Sequence, residues 1–596
     1  MASSQDLTLF AALSAALRIS WLAVRDAARH GTGWFVAASV LSLCHALVPP
    51  AEVLLLKRLL DEIAAPVRNP QHLATALAAL TVVVGLNFSI GYLALTASQR
   101  TGLRLGWHCR TGLARAAAGL PPHRLAEPEV STALQAAELG IEPLSRVPGN
   151  VLQLLGTAVT AIGLCAAIFT FSPFAGVLVL SALLPTVVAM TFIARVEARG
   201  WPPVAAAQRR STYAMEQLLQ QRSGTELALL GTGDKIAKRV SREQRRKVAL
   251  LDKVLAADMR WETAASTGTA VLLAAALWAM INSGAGAAVA AAAIAGILSG
   301  LSAIRFTGHA FGNIMSTAPQ ADSYYGMVAE PAIEPPTAPA RRTRRIELDR
   351  LTVRYPGQPR PAVDGVSLTV ERGEMIALVG SNGAGKTTTV NALVGIVPPE
   401  AGAIMIDGRP ARFPLQPELL ADVGLLNQEF GRYEFTVREA VELGTPRTGV
   451  GDAELWTALD AARLGDLVRT LPDGLDTQLG QQWGGVGLSG GQWQRLALAR
   501  ICLRDAGVWI LDEPTSAIDA EAEAEIFAEL QQNKENRITI VVSHRAWTLR
   551  GVDRIYVFDE GRIVQVGSYR ELLDQPGRFA DLFAEQLAGD QTGRAS

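Results

Sequence analysis

Six apolar stretches dominate the first half of this 596-residue chain: approximately Trp34–Leu56, Leu73–Ala97, Val151–Phe171, Phe174–Ile193, Ala264–Ile281 and Ala287–Ile304. Each is close to the ~20 residues a helix needs to cross ~30 Å of hydrocarbon. Buried helices of a soluble core are the competing explanation, and six such segments beside a separate soluble module disfavour it. Segments three and four are separated only by Ser172 and Pro173, and five and six by the five residues from Asn282 to Gly286, which reads as two tight hairpins.

The connections Ser98–Asn150 and Ala194–Thr263 are long and rich in arginine. Arg100, Arg104, Arg110, Arg115 and Arg124 lie in the first, and Arg209, Arg210, Arg239, Arg242, Arg245 and Arg246 in the second. Basic excess marks the cytoplasmic side of a membrane, so both chain ends are expected there. Helix-compatible sequence runs from these loops into the apolar segments, which predicts helices extending well beyond the bilayer. Breaks or kinks are expected at Pro121–Pro122 and Gly200–Pro203. Leu120–Glu138 and Arg210–Gln221 are expected to turn at the bottom of the two loops. Met1–His30, with Arg18, Arg25 and Arg29, reads as an amphipathic helix on the membrane surface rather than a cleaved signal peptide. The six segments are rich in small residues, which allows close helix packing.

The second half has an ordinary globular mixture, and within it Met375–Val379 is a short apolar run that reads as a buried strand. Gly380, Ser381, Asn382, Gly383, Ala384, Gly385, Lys386, Thr387 and Thr388 follow, leading into helix-compatible residues. This is the G-x-x-x-x-G-K-[ST] pattern in its strand–loop–helix context. Glycines let the backbone curl so that its N–H groups point at phosphates, and the helix N-terminus adds partial positive charge. Lys386 is expected to reach the β/γ-phosphates and the Thr387 hydroxyl to ligate Mg²⁺. A glycine-rich turn with a chance Lys-Thr is the competing reading, and the flanking pattern disfavours it. The chain carries seven lysines among 55 basic residues, so Lys386 does not come from a lysine-rich background.

Other pieces fit the same chemistry. Gly507–Glu513 is an apolar run ending in Asp512 and Glu513. A strand there, beside the Met375–Val379 strand, would put Asp512 near the metal and Glu513 near an attacking water. His544 follows the expected strand Ile538–Val542 and would approach the γ-phosphate from the other side. Tyr355 lies upstream, where its ring can stack on adenine. Net charge is −1, which gives no sign of a nucleic-acid partner. Cys44, Cys109, Cys165 and Cys502 are scattered without disulfide or zinc spacing.

Leu488, Ser489, Gly490, Gly491 and Gln492, followed by Trp493–Arg500, spell LSGGQWQRLALAR. Here the sequence resembles the ATP-binding cassette superfamily, whose signature is LSGGQ. The resemblance implies that Gln428 is the glutamine sensing Mg²⁺ and the membrane domain, and that Ser516–Asp519 form the D-loop. It also implies that Ser489–Gln492 contact ATP held by another subunit, so one cassette cannot complete a site and a homodimer is expected. By the same resemblance Mg²⁺ would be held by Thr387, Gln428 and Asp512, and Glu513 and His544 would be catalytic.

The expected fold is a membrane all-α domain (six transmembrane helices with long cytoplasmic extensions) followed by an α/β P-loop NTPase cassette. Its parts would be an interfacial helix over 1–30, the helical domain over 31–318, a linker over 319–345, the cassette over 346–590 and a tail over 591–596. The linker's basic run Arg341–Arg345 reads as solvated, with anionic lipid headgroups as the competing reading. The architecture resembles the exporter branch of the superfamily, in the bacterial cytoplasmic membrane. By that analogy Leu120–Glu138 and Arg210–Gln221 contain coupling helices.

The runs Asn427–Gly444 and Thr477–Arg500 resemble exporters of modified peptides, which implies a peptide cargo; a drug or lipid cargo is the alternative. Gln481, Gln482 and Trp483 stand where many multidrug-type exporters carry an acidic residue. Arg305, His309, Asn313 and Thr317 recur every four residues and are expected to share one helix face open to cargo.

Overall fold

Apolar periodicity in the first half resolves into long helices. The computed structural model describes residues 9–584 except 66–68, most of 171–183 and 283–309, 316, 319, 331–341, 416, 515–519 and 533. The chain divides into two units, residues 1–118 with 131–331 and residues 119–130 with 332–596. The first unit contains α1 (Leu9–His30), α2 (Thr32–Ala64), α3 (Pro70–Ala118), α5 (Pro128–Phe169, starting in the other unit), α6 (Leu184–Leu219), α7 (Gln221–Leu229) and α8 (Gly233–Asn282). Of these, α2, α3 and α5 are long and apolar enough to cross a membrane. They carry the first three expected segments; the fifth lies on α8, and the sixth falls almost wholly outside the described residues.

In α1, Ala16, Ile19, Ala23 and Ala27 are buried at a spacing of three or four, while Leu17 and Trp21 face outward. That is one apolar stripe packed on the bundle and a second hydrophobic face left exposed. α6 and α8 pair along their lengths through Phe192 stacked on Trp261 at 4.2 Å and Gln244 Nε2 donating to Ser211 Oγ at 3.0 Å. As one residue number rises the other falls, so the two helices are antiparallel.

Four sequence expectations are corrected here. Gly200–Pro203 does not break α6, which continues through it; Gly200 instead allows Val254 of α8 to approach so closely that a Cβ would stand 2.6 Å from its methyl. The second loop turns near Gly231 and Gly233, beyond Arg210–Gln221, because Gly231 takes the left-handed φ of +61° that a side chain resists. The linker start is also helical: residues 320–329 form a helix that buries Ala321, Tyr324 and Met327, spaced by three. Asn313 is exposed but Thr317 is buried with its hydroxyl on the Asn313 carbonyl at 2.6 Å, so these two do not share an open face. Arg305 and His309 lie outside the described residues.

Two prolines, Pro49 and Pro50, sit inside α2. Proline has no N–H, so the carbonyls of His45 and Ala46 lose their helical donors. Thr160 of α5 repairs one of them, its buried hydroxyl donating to the Ala46 carbonyl at 2.8 Å. Thr160→Val is expected to destabilise the helical unit by about 1–3 kcal/mol, because a buried acceptor is then left bare. Thermal unfolding in detergent checks this, with Thr160→Ser retaining the wild-type melting temperature.

The second unit is built on two sheets. One is antiparallel, with order β2-β1-β4-β5, from β1 (Arg345–Val353), β2 (Val363–Glu371), β4 (Ala401–Ile406) and β5 (Arg409–Pro410). The other has order β10-β9-β3-β8-β7-β6, from β3 (Met375–Gly380), β6 (Val423–Leu426), β7 (Val508–Asp512), β8 (Ile538–Val542), β9 (Arg554–Asp559) and β10 (Arg562–Gly567). It is parallel except for the edge strand β10. Residues 375–379 of β3 are all buried, with Met375, Ala377 and Val379 in one hydrophobic cluster and Ile376 and Leu378 in the other. A continuous apolar run is what a parallel strand covered on both faces requires.

β7 is not beside β3, as the sequence analysis expects; β8 lies between them. The insertion brings the residues after β8 to the same sheet end as those after β3 and β7. The described part of the basic run, residues 342–345, keeps Arg344 and Arg345 exposed, and its ion pairs lie at the surface. Arg342 pairs with Asp505 at 2.6 Å and Arg345 with Glu371 at 2.9 Å. The first-loop helix α4 (Pro122–Ala126) belongs to this unit, where the His123 ring lies 5.0 Å from that of Phe413.

Candidate nucleotide site and helical cavity

At the C-terminal end of β3 the backbone turns through Gly380, whose φ is +153°, and a Cβ there would collide with the Phe558 carbonyl of β9. Gly385, at φ +101°, caps the helix Lys386–Leu393 and would place a Cβ 2.6 Å from the Ala362 carbonyl. Only glycine meets both demands. Lys386 folds over this loop, its Nζ donating to the Gly380 and Ser381 carbonyls at 2.9 Å each. Burial lowers its pKa, partly offset by the carboxylates of Glu513 and Asp512. Asn382 and Gly383 are exposed at the loop tip, and Ala384 is buried beneath it. Thr387 Oγ1 lies 3.1 Å from Asp512 Oδ2 at the end of β7. Burial raises the Asp512 pKa, with the Thr387 hydrogen bond acting against it.

Glu513 is the next residue, and its backbone is strained at φ +51°. Both of its peptide groups are anchored. Its N–H donates to the Val542 carbonyl at 3.0 Å, and its carbonyl accepts from Gln494 Nε2 at 2.9 Å. Its carboxylate then lies between Gln428 Nε2, at 3.2 Å, and His544 Nδ1, at 3.3 Å. The fold thus gathers Lys386, Thr387, Gln428, Asp512, Glu513 and His544 at one sheet end. Gln494 is a contributor that the sequence reading overlooked. Its signal was a glutamine, buried to 2 % exposure, on the core face of the LSGGQWQRLALAR helix. Gln494→Leu is expected to lower ATP turnover about tenfold with little change in nucleotide affinity, since it removes only a tether of the Glu513 backbone. Steady-state kinetics beside an equilibrium nucleotide-binding measurement separate the two.

Ser489 caps the helix Gly490–Arg504, with its hydroxyl accepting from Gln492 N–H and Gln492 Oε1 accepting from Ser489 N–H at 2.8 Å. Gly490 and Gly491 form its first turn, leaving a 15-residue helix with partly exposed N-terminal amides. Tyr355 Oη lies 3.5 Å from Thr388 Oγ1, which places its ring beside the loop. Ser516–Asp519 lie outside the described residues. In the segment before the signature, Gln482 hydrogen-bonds Glu434, so a carboxylate from the 430–436 loop stands there.

A second feature lies in the helical unit. A cavity of about 1280 Å³ opens between α2, α3 and α5. His45, Glu52 and Asn87 line one part of it, and Arg110, Glu142 and Arg146 another. Glu52 is the sole charge in Trp34–Leu56 and accepts from Asn87 Nδ2 at 3.3 Å. A carboxylate inside an otherwise uncharged span was the sequence signal for this site, and the sequence reading passed over it.

Residues 363–516 match the ABC transporter family profile. The chain is 40% identical over 273 residues to an ATP-dependent lipid A-core flippase of Cupriavidus metallidurans, covering 45% of each chain. It is 41% identical over 238 residues to the ABC multidrug transporter MDR2 of Trichophyton interdigitale, covering 40% of this chain and 18% of that one. The matched stretches thus span less than half the length of these curated relatives. A solved bacterial Atm1-family ABC exporter with ATP bound superposes with a TM-score of 0.78 at 23% identity, over 94% of this chain and 98% of that one. The fold is therefore that of an ABC exporter, with a helical membrane domain followed by an α/β cassette. The cassette is an ABC-type ATPase domain.

Proposed function

We propose that the chain is one half of a dimeric ATP-driven exporter that moves amphiphilic molecules across the bacterial cytoplasmic membrane. The observation that carries this reading is the Glu513 carboxylate, fixed between Gln428 and His544 beside the Lys386 loop. In that role Glu513 takes a proton from the attacking water, His544 faces the γ-phosphate, and Lys386 leaves the loop carbonyls to hold phosphate oxygens. The loop amides from Gly380 to Thr388 cradle the phosphates and Tyr355 stacks on the adenine. Thr387 and Asp512 offer two hard oxygen donors 3.1 Å apart, and Gln428 a third on its side-chain carbonyl. This set fits Mg²⁺, which takes few protein ligands and keeps substrate phosphates and waters. When bound, Mg²⁺ neutralises charge on the phosphates.

Ser489–Gln492, at a helix N-terminus, suit an anion presented by a second copy, which supports a homodimer. The names of the relatives, lipid A-core flippase and multidrug transporter, support the lipid or drug alternative over a peptide cargo. The exporter fold supports alternating access, with ATP binding closing the cassettes and hydrolysis resetting them.

The test is Mg-ATP hydrolysis by the full chain in lipid nanodiscs, with Glu513→Gln as the blank. The panel contains lipids, drug-like amphiphiles and modified peptides. Stimulation by lipids and amphiphiles is the expected result; stimulation by peptides alone would replace the cargo reading.

A further inference from the structure

Glu523, on the helix Ala520–Gln532, carries a carboxylate with 0 % exposure. A charge buried so completely is costly unless a partner meets it. Here the Arg545 guanidinium does so, its Nη1 hydrogen-bonding Glu523 Oε2. Apolar residues of similar volume would fill the same space with no loss of stability, and often with a gain. Packing alone therefore does not call for an ion pair, and its place in the chain points to another use. Arg545 directly follows His544, whose Nδ1 stands 3.3 Å from the Glu513 carboxylate.

The backbone around His544 is tied on both sides. Ser543 N–H donates to the Leu378 carbonyl of β3 at 3.4 Å. Arg545 N–H donates to Ser543 Oγ at 3.1 Å, which lies 2.8 Å from Thr548 Oγ1, and Thr548 Oγ1 donates to the Arg545 carbonyl at 2.8 Å. Ser543 and Thr548 are buried, so this circuit of hydrogen bonds spans His544 and leaves its side chain outside, 53 % exposed. The circuit sets the shape of the turn. A turn held to β3 by one long hydrogen bond can still swing, and the arm from Arg545 to a buried anchor opposes that motion.

We infer that Glu523 and Arg545 are positioning residues that hold the His544 imidazole against Glu513 and the γ-phosphate. This rests on the role given to His544 above.

The test is Mg-ATP hydrolysis by the full chain in nanodiscs, with melting temperatures beside it. Glu523→Leu combined with Arg545→Leu removes the pair without stranding a buried charge. This double variant is expected to keep the wild-type melting temperature while kcat falls about tenfold and the KM for ATP changes little. His544→Ala alone should lose turnover, and adding the double replacement to it should cause no further loss, because both act through one imidazole. Glu523→Gln, which keeps the shape and leaves an arginine able to reach solvent, gives an independent arm should the double variant fail to fold. It is expected to show the same split with a loss of about threefold. Wild-type kcat in the folded double variant, or in Glu523→Gln, overturns the proposal. So does an equal further loss on the His544→Ala background, which would place the pair's action elsewhere. Wild-type turnover in His544→Ala instead removes His544 from the reaction, and the proposal falls with that reading.

Discussion

Glu513→Gln loses ATP turnover by about 10²–10⁴-fold while still binding ATP, the range expected when a positioned general base is removed. The amide keeps the size of the side chain and its contact with Gln428, but it cannot take a proton from water. The strained backbone at φ +51° is held by Val542 and Gln494 and does not depend on the carboxylate. The variant should therefore fold normally and accumulate in an ATP-bound dimer, visible as a size shift on gel filtration with Mg-ATP. Near-normal turnover would remove Glu513 from its assigned role.

Lys386→Ala acts one step earlier, on nucleotide binding itself. The ammonium is the one cation among the described residues that hydrogen-bonds the loop carbonyls of Gly380 and Ser381. Hydrogen bonds to charged groups contribute about 1.5–3 kcal/mol each, so ATP affinity should fall about 10–100-fold or more. The change also removes a positive neighbour of Asp512, whose pKa burial already raises. Loss of Lys386 should raise it further, because the opposite charge that favoured the ionised form is gone. Titration calorimetry of ATP against the isolated nucleotide-binding step checks the affinity, and unchanged binding would remove the lysine from phosphate recognition.

Much of the cassette was legible in one dimension because its chemistry is local. The loop from Gly380 to Thr388 and the cap of the Gly490–Arg504 helix depend on neighbours in sequence, and both stand where the motifs place them. The strand order was not legible. β8 separates β3 from β7, and its pairing with β3 joins residues more than 150 positions apart, which no local pattern encodes. The same holds for Gln494, whose partner is the carbonyl of Glu513.

In the helical half, length and hydropathy indicated helices but not where they turn. Gly200–Pro203 read as a break or a kink, yet α6 stays helical through it, because a packed neighbour such as α8 can hold a helix across a proline. Glu52 and Asn87, 35 positions apart in sequence, meet only once α2 and α3 pack together.

The double proline of α2 gives the helical domain a soft joint. Two successive rungs of the hydrogen-bond ladder are absent at the level of His45 and Ala46, so the segments above and below can tilt without tearing intact bonds. Thr160 rides on the freed Ala46 carbonyl and carries α5 along with it. The cavity wall is therefore compliant at one height and stiff elsewhere.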